Sequence, residues 1–373
     1  MNSSTSQAST RPFERTRKCP PDGWLGLSPV VAGTVCCTVS ALGYAAAQVC
    51  LRHLSKLDAD PMWVICNKEL VTVVAVGPWL LYQTFRGTPV LPPHPEGTRL
   101  LALLILVGLG NQVGANLGAQ WALGVVGLAV STPVIFGVML TASAPLSLGF
   151  LGERVSRRSI LAIGLLLAAI VLLGAATCAT CQSEVPGGGA EQRPSTVFPG
   201  GSLKLDPSHP LPDSRLAGPL LLALGIGAPC LAGAIYAVLT TTIRHAVTSA
   251  VPIGTIVFIT TLMGVLSLGP LSAYRLGPRE LLATPPEQIA WMAAAGTLNL
   301  IGFLAITKGL QLTTVVHANV LNASQVAMAA VAGTVIFAEP RTPWLLAGVG
   351  LTILGVVLID RPEQSDRHVD QHV

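Results

Sequence analysis

Charged and aromatic residues are scarce in this 373-residue sequence, at 11% and 5%, whereas 51% of its residues are hydrophobic. Soluble domains carry about 25% charged residues, so this composition excludes an ordinary soluble globular protein. Basic and acidic residues nearly balance, with a net charge of +4. No basic block is interleaved with aromatic residues, as a nucleic-acid surface requires. We therefore expect no nucleic-acid partner.

The sequence also lacks the usual signatures of catalysis. It has no nucleophile–base arrangement, no Gly-rich phosphate loop and no His and Cys cluster with metal-ligand spacing. Only Cys178 and Cys181 have a metal or redox spacing, and we interpret them as ordinary residues at a helix end. A disulfide at an oxidising membrane face is the alternative. We expect a protein that is not an enzyme and that uses neither a metal nor a cofactor.

Long apolar runs dominate what is present. Each has roughly the 20 residues that one membrane span needs. The first run exceeds the signal-peptide core of about 7 to 15 residues and is expected to be a retained span. The sequence predicts an all-α integral membrane protein with ten transmembrane helices. The runs lie near 29–51, 61–83, 100–122, 128–151, 159–177, 217–242, 250–273, 287–309, 314–338 and 343–360.

The two halves of the sequence are related by an internal repeat. Rare residue types recur in register, first at an offset of 192 and then, after a shorter loop, at an offset of 186. Five spans per copy is an odd number, so the copies insert in opposite orientations and form an inverted 5+5 repeat. Matching positions include Tyr44 and Tyr236, Arg52-His53 and Arg244-His245, Gly110 and Gly296, and Glu153 and Glu339.

This organisation predicts five segments and a topology. Residues 1–28 form a cytoplasmic tail, 29–177 the first repeat, 178–216 a Gly/Pro/Ser-rich linker, 217–360 the second repeat, and 361–373 a second cytoplasmic tail. With both termini in the cytoplasm, 13 Lys or Arg lie on the inner side and 8 on the outer. The expected location is a cell membrane, with the bacterial inner membrane preferred.

The ends of two related spans share a motif. Residues 150–153 read Phe-Leu-Gly-Glu and residues 337–339 read Phe-Ala-Glu, each followed by an apolar span that contains glycine. With the 5+5 hydropathy and a basic residue, Lys68, in the second span, the chain resembles the drug/metabolite transporter superfamily. The resemblance is to its ten-span members built from two EamA-type repeats. It implies a transporter in contact with membrane lipids, and the glycines of the fifth and tenth spans could also form a homodimer contact.

Two charged residues fall inside the second span. Lys68 and Glu69 lie about 10 Å below its outer end, where an ionised group must face a cavity, find a partner or titrate. We predict Lys68 as a counter-ion in a substrate site and Glu69 as a proton-coupling carboxylate. Neighbours on a helix point about 100° apart, so these two need not pair with each other. The alternative is a structural pair that fixes the packing of this helix.

Amide side chains follow helical spacing in two other spans. Gln112, Asn116 and Gln120 recur every four residues, and Asn319, Asn322 and Gln325 every three, so each set occupies one side of its helix. We predict that both stripes bind substrate, with interhelical packing as the alternative. The repeat-related Tyr44 and Tyr236, with Gln48 one turn from Tyr44, complete the predicted substrate-binding set.

The sequence thus predicts a secondary active transporter of a small polar metabolite or drug. Alternating access of the two repeats would move this substrate, driven by protons or by exchange. Two alternatives stay open from the sequence: a non-transporting membrane scaffold or receptor subunit, and a flippase of a lipid-linked sugar.

Overall fold

This computed structural model describes residues 28–87, 90–91, 96–125, 128–152, 160–169, 171–172, 214–336 and 343–359. Regular structure in that part of the chain is entirely helical. The helices are α1 (Pro29–Lys56), α2 (Pro61–Phe85), α3 (Glu96–Gly110), α4 (Leu117–Val125), α5 (Leu128–Leu151), α6 (Ile160–Ala169), α7 (Ser214–Thr248), α8 (Ile253–Leu282), α9 (Pro286–Leu312), α10 (Val315–Ile336) and α11 (Pro343–Ile359).

Seven helical segments of the described chain are long and apolar enough to cross a membrane. Two further apolar helices, Ile160–Ala169 and Leu346–Gly355, are shorter. The chain is therefore a multi-pass membrane protein whose described part is all-helical, whereas the count of ten spans stays a prediction. The seven segments are Pro29–Lys56, Pro61–Phe85, Glu96–Ala122, Val134–Leu151, Gly227–Thr248, Ile253–Leu282 and Pro286–Leu312.

Several helices extend beyond the apolar runs that predicted them. Helix α1 continues to Lys56, α8 ends at Leu282 after a non-helical residue at Gly277 (φ 76°), and α7 begins at Ser214. Helix α7 therefore begins within the predicted linker, 178–216, whose boundary stays a prediction. Hydropathy marks only the part of a helix at membrane depth, whereas its backbone hydrogen bonds continue into the polar zone.

Three of the five predicted segments, the two tails and the linker, lie almost wholly on residues that the structure does not describe. The rest of the linker, the N-terminal tail up to residue 27 and the C-terminal tail lie outside the described residues. So do Glu153, Glu339, Cys178 and Cys181.

The start of α2 is fixed by a capping carboxylate. Pro61 occupies the first helical position, and the Asp60 side chain accepts from the backbone N–H groups of Met62 and Trp63, both at 3.0 Å. Such caps satisfy donors that have no intrahelical partner. The second oxygen of Asp60 lies 3.4 Å from Nη1 of Arg275 on α8. One side chain thus sets the beginning of α2 and joins it to α8.

The long helices pack around a common centre. Helix α1 packs against α9 and α10, while α7 packs against α5 and against the continuous rod that runs from α3 to α4. Helices α2 and α8 pack against each other, as do α5 and α10. The largest buried apolar cluster joins side chains of both halves, including Leu104, Ile256 and Leu310. Many large apolar side chains on the outer surface are exposed, as a lipid-facing surface requires.

Glycine at position 233 allows the close approach of α7 to α5. A Cβ added to Gly233 would collide with the backbone oxygen of Ile135 and lie 2.9 Å from Cβ of Val138. We expect Gly233→Ala to lower the free energy of unfolding by about 1–3 kcal/mol, the usual cost of overpacking. Thermal unfolding of the detergent-purified protein measures this loss.

Gly227→Ala is the matched control on the same helix. Within the described chain, no atom lies within 4 Å of a Cβ added to Gly227. Its melting temperature should therefore equal that of the wild type or exceed it slightly, because alanine favours helix. Equal melting temperatures for both variants would show that α5 and α7 can separate at this crossing without cost.

Candidate functional site

A cavity of about 190 Å³ lies at the centre of the helices. One water needs about 10–15 Å³ of such space, so the cavity has room for a small organic molecule. Its wall combines amide, aromatic and aliphatic side chains, the usual composition of ligand sites. Of the eleven predicted site residues, the wall includes ten: Tyr44, Gln48, Lys68, Glu69, Gln112, Asn116, Gln120, Tyr236, Asn322 and Gln325.

A π-helical segment, Asn111–Asn116, joins α3 to α4 at the cavity. Such single wide turns occur within α-helices, frequently at functional sites. Gln112 and Asn116 both belong to the segment, and Nδ2 of Asn116 donates to Oε1 of Gln112 at 2.6 Å. The local widening therefore lies where the predicted amide stripe meets the cavity.

These two amides belong to a hydrogen-bonded chain that crosses between the halves. The hydroxyl of Tyr236 donates to Oδ1 of Asn116 at 2.7 Å. Beyond the Asn116–Gln112 bond, Nε2 of Gln112 donates to the backbone carbonyl of Thr260 at 3.1 Å. We call this series the first relay. It connects α7 and α8 through the π-helical segment, and its members polarise one another.

A second relay joins α1 to α10. Nε2 of Gln48 donates to Oε1 of Gln325 at 3.0 Å, and Nε2 of Gln325 donates to the backbone carbonyl of Asn322 at 2.9 Å. Oδ1 of Asn322 accepts from the hydroxyl of Ser40 at 3.4 Å. Amide groups of the two predicted stripes thus lie on different helices around one cavity.

Lys68 and Glu69 form an ion pair inside the bundle. Nζ of Lys68 lies 3.0 Å from Oε1 of Glu69, and the side chains are 8% and 3% exposed. Long side chains can bridge the angle between neighbouring helix positions, so the pairing that the sequence left open is present. Gly296 allows α9 to pack closely against α2 beside this pair, since a Cβ there would lie 2.8 Å from the backbone oxygen of Lys68.

Asn319 is the one predicted site residue that does not line the cavity. Its side chain is fully buried, and Nδ2 donates to the hydroxyl of Thr240 at 3.2 Å. Thr240 itself belongs to the wall. Asn319 therefore positions a wall residue from behind. At the other end of the first stripe, Gln120 lines the cavity and donates to the hydroxyl of Ser55 at 3.1 Å.

Several wall residues were missed by sequence reasoning. Asn299 on α9 is an isolated amide, and Ser131 and Thr132 are small hydroxyl residues in an apolar run, so none of them forms a polar stripe. Asn111 is next to Gln112 but is displaced from the four-residue spacing. A search for every amide at membrane depth would have found Asn111 and Asn299. The aromatic wall residues Phe136 and Phe303 give no sequence signal that separates them from lipid-facing residues.

A metal site is not evident in the part of the chain that the structure describes. No group of three or more His, Cys, Asp or Glu side chains there could hold a metal ion. Among the described residues that line the cavity, the one carboxylate is that of Glu69, and it is paired with an amine.

Comparisons with known proteins identify a transporter-type domain in the second half of the chain. Residues 223–360 match the model of the EamA-like transporter family. No curated protein matches the chain. Among solved structures, 28 chains match; one, described only as the crystal structure of a protein, gives a TM-score of 0.60 at 18% identity. That match covers 88% of this chain and 96% of the other, and it shows a shared fold alone.

Proposed function

We propose that this chain, whose residues 223–360 form an EamA-like transporter domain, is a secondary active transporter of a small polar metabolite or drug. The transporter family is consistent with a protein that is not an enzyme. The proposal places it in a cell membrane with both termini in the cytoplasm. The observation that carries the proposal is the central cavity, which is lined by polar residues from both halves of the chain.

The positions of the cavity-wall residues are evidence that the first half of the chain contains a related copy of the EamA-like domain. Helix α1 contributes Tyr44, Ala47, Gln48 and Leu51 to the wall, and α7 contributes Tyr236, Leu239, Thr240 and Ile243. Every one of these four pairs is separated by 192 residues, the offset of the internal repeat. We propose that residues 29–177 and 217–360 are related five-helix repeats, which gives ten spans.

Helix packing supports the same relationship. Exchanging α1 with α7, α5 with α10 and the α3–α4 rod with α9 converts the two main partners of α1, which are α9 and α10, into the two main partners of α7, which are the rod and α5. The α2–α8 and α5–α10 contacts are unchanged by this exchange. Inverted repeats commonly enclose a substrate site between them and rock against each other to expose it alternately on each side.

In this proposal, transport is driven by a proton gradient or by exchange with a second solute. Glu69 is 2% exposed and borders the cavity, and intramembrane carboxylates in such positions commonly take part in proton relays. We propose that it exchanges a proton or an ion as the cavity changes its accessibility.

Solute flux into proteoliposomes tests the proposal. The purified protein is first screened for ligands by thermal unfolding against amino acids, sugars, nucleotides, organic acids and cationic drugs. A ligand present at 100 times its dissociation constant stabilises the native state by about 2.7 kcal/mol. Flux of each stabilising ligand is then measured with and without an imposed pH gradient. Protein-free liposomes are the control.

We expect at least one stabilising ligand to accumulate in the proteoliposomes, either with the pH gradient or in exchange for internal ligand. Stabilisation without flux under any gradient or exchange condition would contradict transport. It would instead favour a receptor or scaffold that uses the same cavity to bind its ligand.

A further inference from the structure

The first relay ends in an acceptor at the cavity wall. A backbone carbonyl can only accept, so the carbonyl of Thr260 requires the amide nitrogen of Gln112 to face it. The oxygen of Gln112 then faces Asn116, whose nitrogen donates to it, and the oxygen of Asn116 faces Tyr236. The hydroxyl proton of Tyr236 is therefore committed to Asn116, and only its oxygen lone pairs remain for a ligand.

The second relay has the same direction. The carbonyl of Asn322 requires the nitrogen of Gln325 to face it, which turns the oxygen of Gln325 toward Gln48. Nε2 of Gln48 donates to that oxygen, so Oε1 of Gln48 is left at the end of the relay. This oxygen is buried, and no group in the described part of the chain donates to it. Both relays thus terminate in acceptors.

Glu69 supplies a third acceptor, and this one is charged. Its Oε1 pairs with Lys68, whereas its Oε2 is buried and receives no hydrogen bond from any described residue. Buried polar atoms without partners are rare, and an unpaired carboxylate oxygen is especially costly. Glu69 itself is one of the residues that line the cavity.

Five wall amides each use one N–H group within the protein. The side-chain nitrogens of Gln48, Gln112, Asn116, Gln120 and Gln325 each donate one hydrogen bond to a protein oxygen. The amine of Lys68 lies against a carboxylate, which offsets its charge. The aromatic rings of Tyr44, Tyr236, Phe136 and Phe303 also border the cavity, and aromatic faces attract cations.

From this direction of the hydrogen bonds, we infer that the cavity selects a cation with N–H donors, a primary or secondary ammonium, over an anion of the same size. This inference rests on the proposed transport site and names its substrate class. The ammonium would donate to the free oxygen of Glu69 and to the acceptors at the ends of the two relays. The apolar part of the ligand would pack on the aromatic wall.

Four probes of one shape separate the contributions of charge and of N–H donors. Benzylammonium, benzyltrimethylammonium, benzyl alcohol and benzoate share the ring and differ in the polar group. Affinity of the detergent-purified protein for each is measured by calorimetry and by stabilisation against heat. We expect benzylammonium to bind about tenfold or more tightly than any of the other three, a difference of about 1.4 kcal/mol.

Two variants test which residues bind the ammonium group, and a third variant serves as the control. Glu69→Gln should weaken benzylammonium at least tenfold and leave benzyl alcohol unchanged. Gln48→Met keeps a similar volume and removes the acceptor of the second relay, so it should weaken benzylammonium even if Glu69→Gln fails to fold. Glu287→Gln is the matched control, because Glu287 is 64% exposed and does not line the cavity.

Tighter binding of benzoate, or no binding of benzylammonium at millimolar concentration, overturns the inference. Full benzylammonium affinity in both Glu69→Gln and Gln48→Met overturns it as well. Transport is measured separately, as the flux of each probe into proteoliposomes. Benzoate that binds and crosses would leave the proposed function standing without this inference, whereas benzylammonium that binds and never crosses would leave the inference standing without transport.

Discussion

Lys68→Met lowers the free energy of unfolding by about 3–5 kcal/mol in our expectation, the usual cost of removing one partner of a buried ion pair. The lost amine is the only described group within ion-pair distance of Glu69. Because Glu69 is 2% exposed, solvent offers little compensation for the loss of that amine. Unfolding of the purified protein in detergent, followed by heat or denaturant, measures the loss.

The double variant Lys68→Met, Glu69→Gln is the decisive control. It removes both charges, and replacing a buried ion pair by neutral groups is often neutral for stability or favourable. Its free energy of unfolding should therefore return to within about 1 kcal/mol of the wild type. A loss below about 1 kcal/mol in the single variant would contradict the expectation and indicate that Glu69 takes up a proton or finds another donor.

Asn116→Leu should reduce solute flux about 100-fold or more while the protein still inserts and folds. The substitution interrupts the first relay in its middle and leaves the Tyr236 hydroxyl and Oε1 of Gln112 without partners. Leucine also removes the amide from the proposed substrate site, and raising the barrier to transport by about 2.7 kcal/mol corresponds to a factor of about 100 in rate. Flux into proteoliposomes, normalised to inserted protein, measures the effect.

Val113→Leu is the control on the same π-helical segment, since Val113 is 45% exposed on the outer surface. Its flux should stay within a factor of about two of the wild type, as changes at exposed positions usually have small effects. Asn322→Leu tests the second relay and should also abolish flux. Wild-type flux in both Asn116→Leu and Asn322→Leu would remove these amides from the transport site.

Much of the cavity wall could be predicted from helical spacing. A helix places residues three and four apart on one side, so Gln112, Asn116 and Gln120 were expected on one wall, and they line the cavity. The same spacing put Asn319 with Asn322 and Gln325, yet Asn319 lies behind Thr240. Spacing confines a side chain to an arc of the helix, but the neighbouring helices decide which part of that arc faces the cavity.

Other features depend on contacts between helices and could not be predicted from spacing. The pairing of Lys68 with Glu69 depends on rotamers, and the partner of Gln112 is a backbone carbonyl on α8. Asn299 is an isolated amide on its helix and became a wall residue only through the packing of α9. The π-helical segment was likewise not predicted, because a wide turn is defined by its backbone hydrogen bonds, which helical spacing of side chains does not reveal.

That wide turn has a consequence for insertions and deletions. A π-turn accommodates one residue more than an α-turn, so α3 and α4 can keep their positions even though the rod holds an extra residue between them. Deleting one residue from Asn111–Asn116 would let the rod close into continuous α-helix with both ends still seated on their neighbours. A deletion elsewhere in the rod would rotate everything beyond it by about 100°. The π-turn is thus the place in the rod where the number of residues can change while α3 and α4 keep their contacts with neighbouring helices. Because this turn faces the cavity, such a change would also alter the ligand preference.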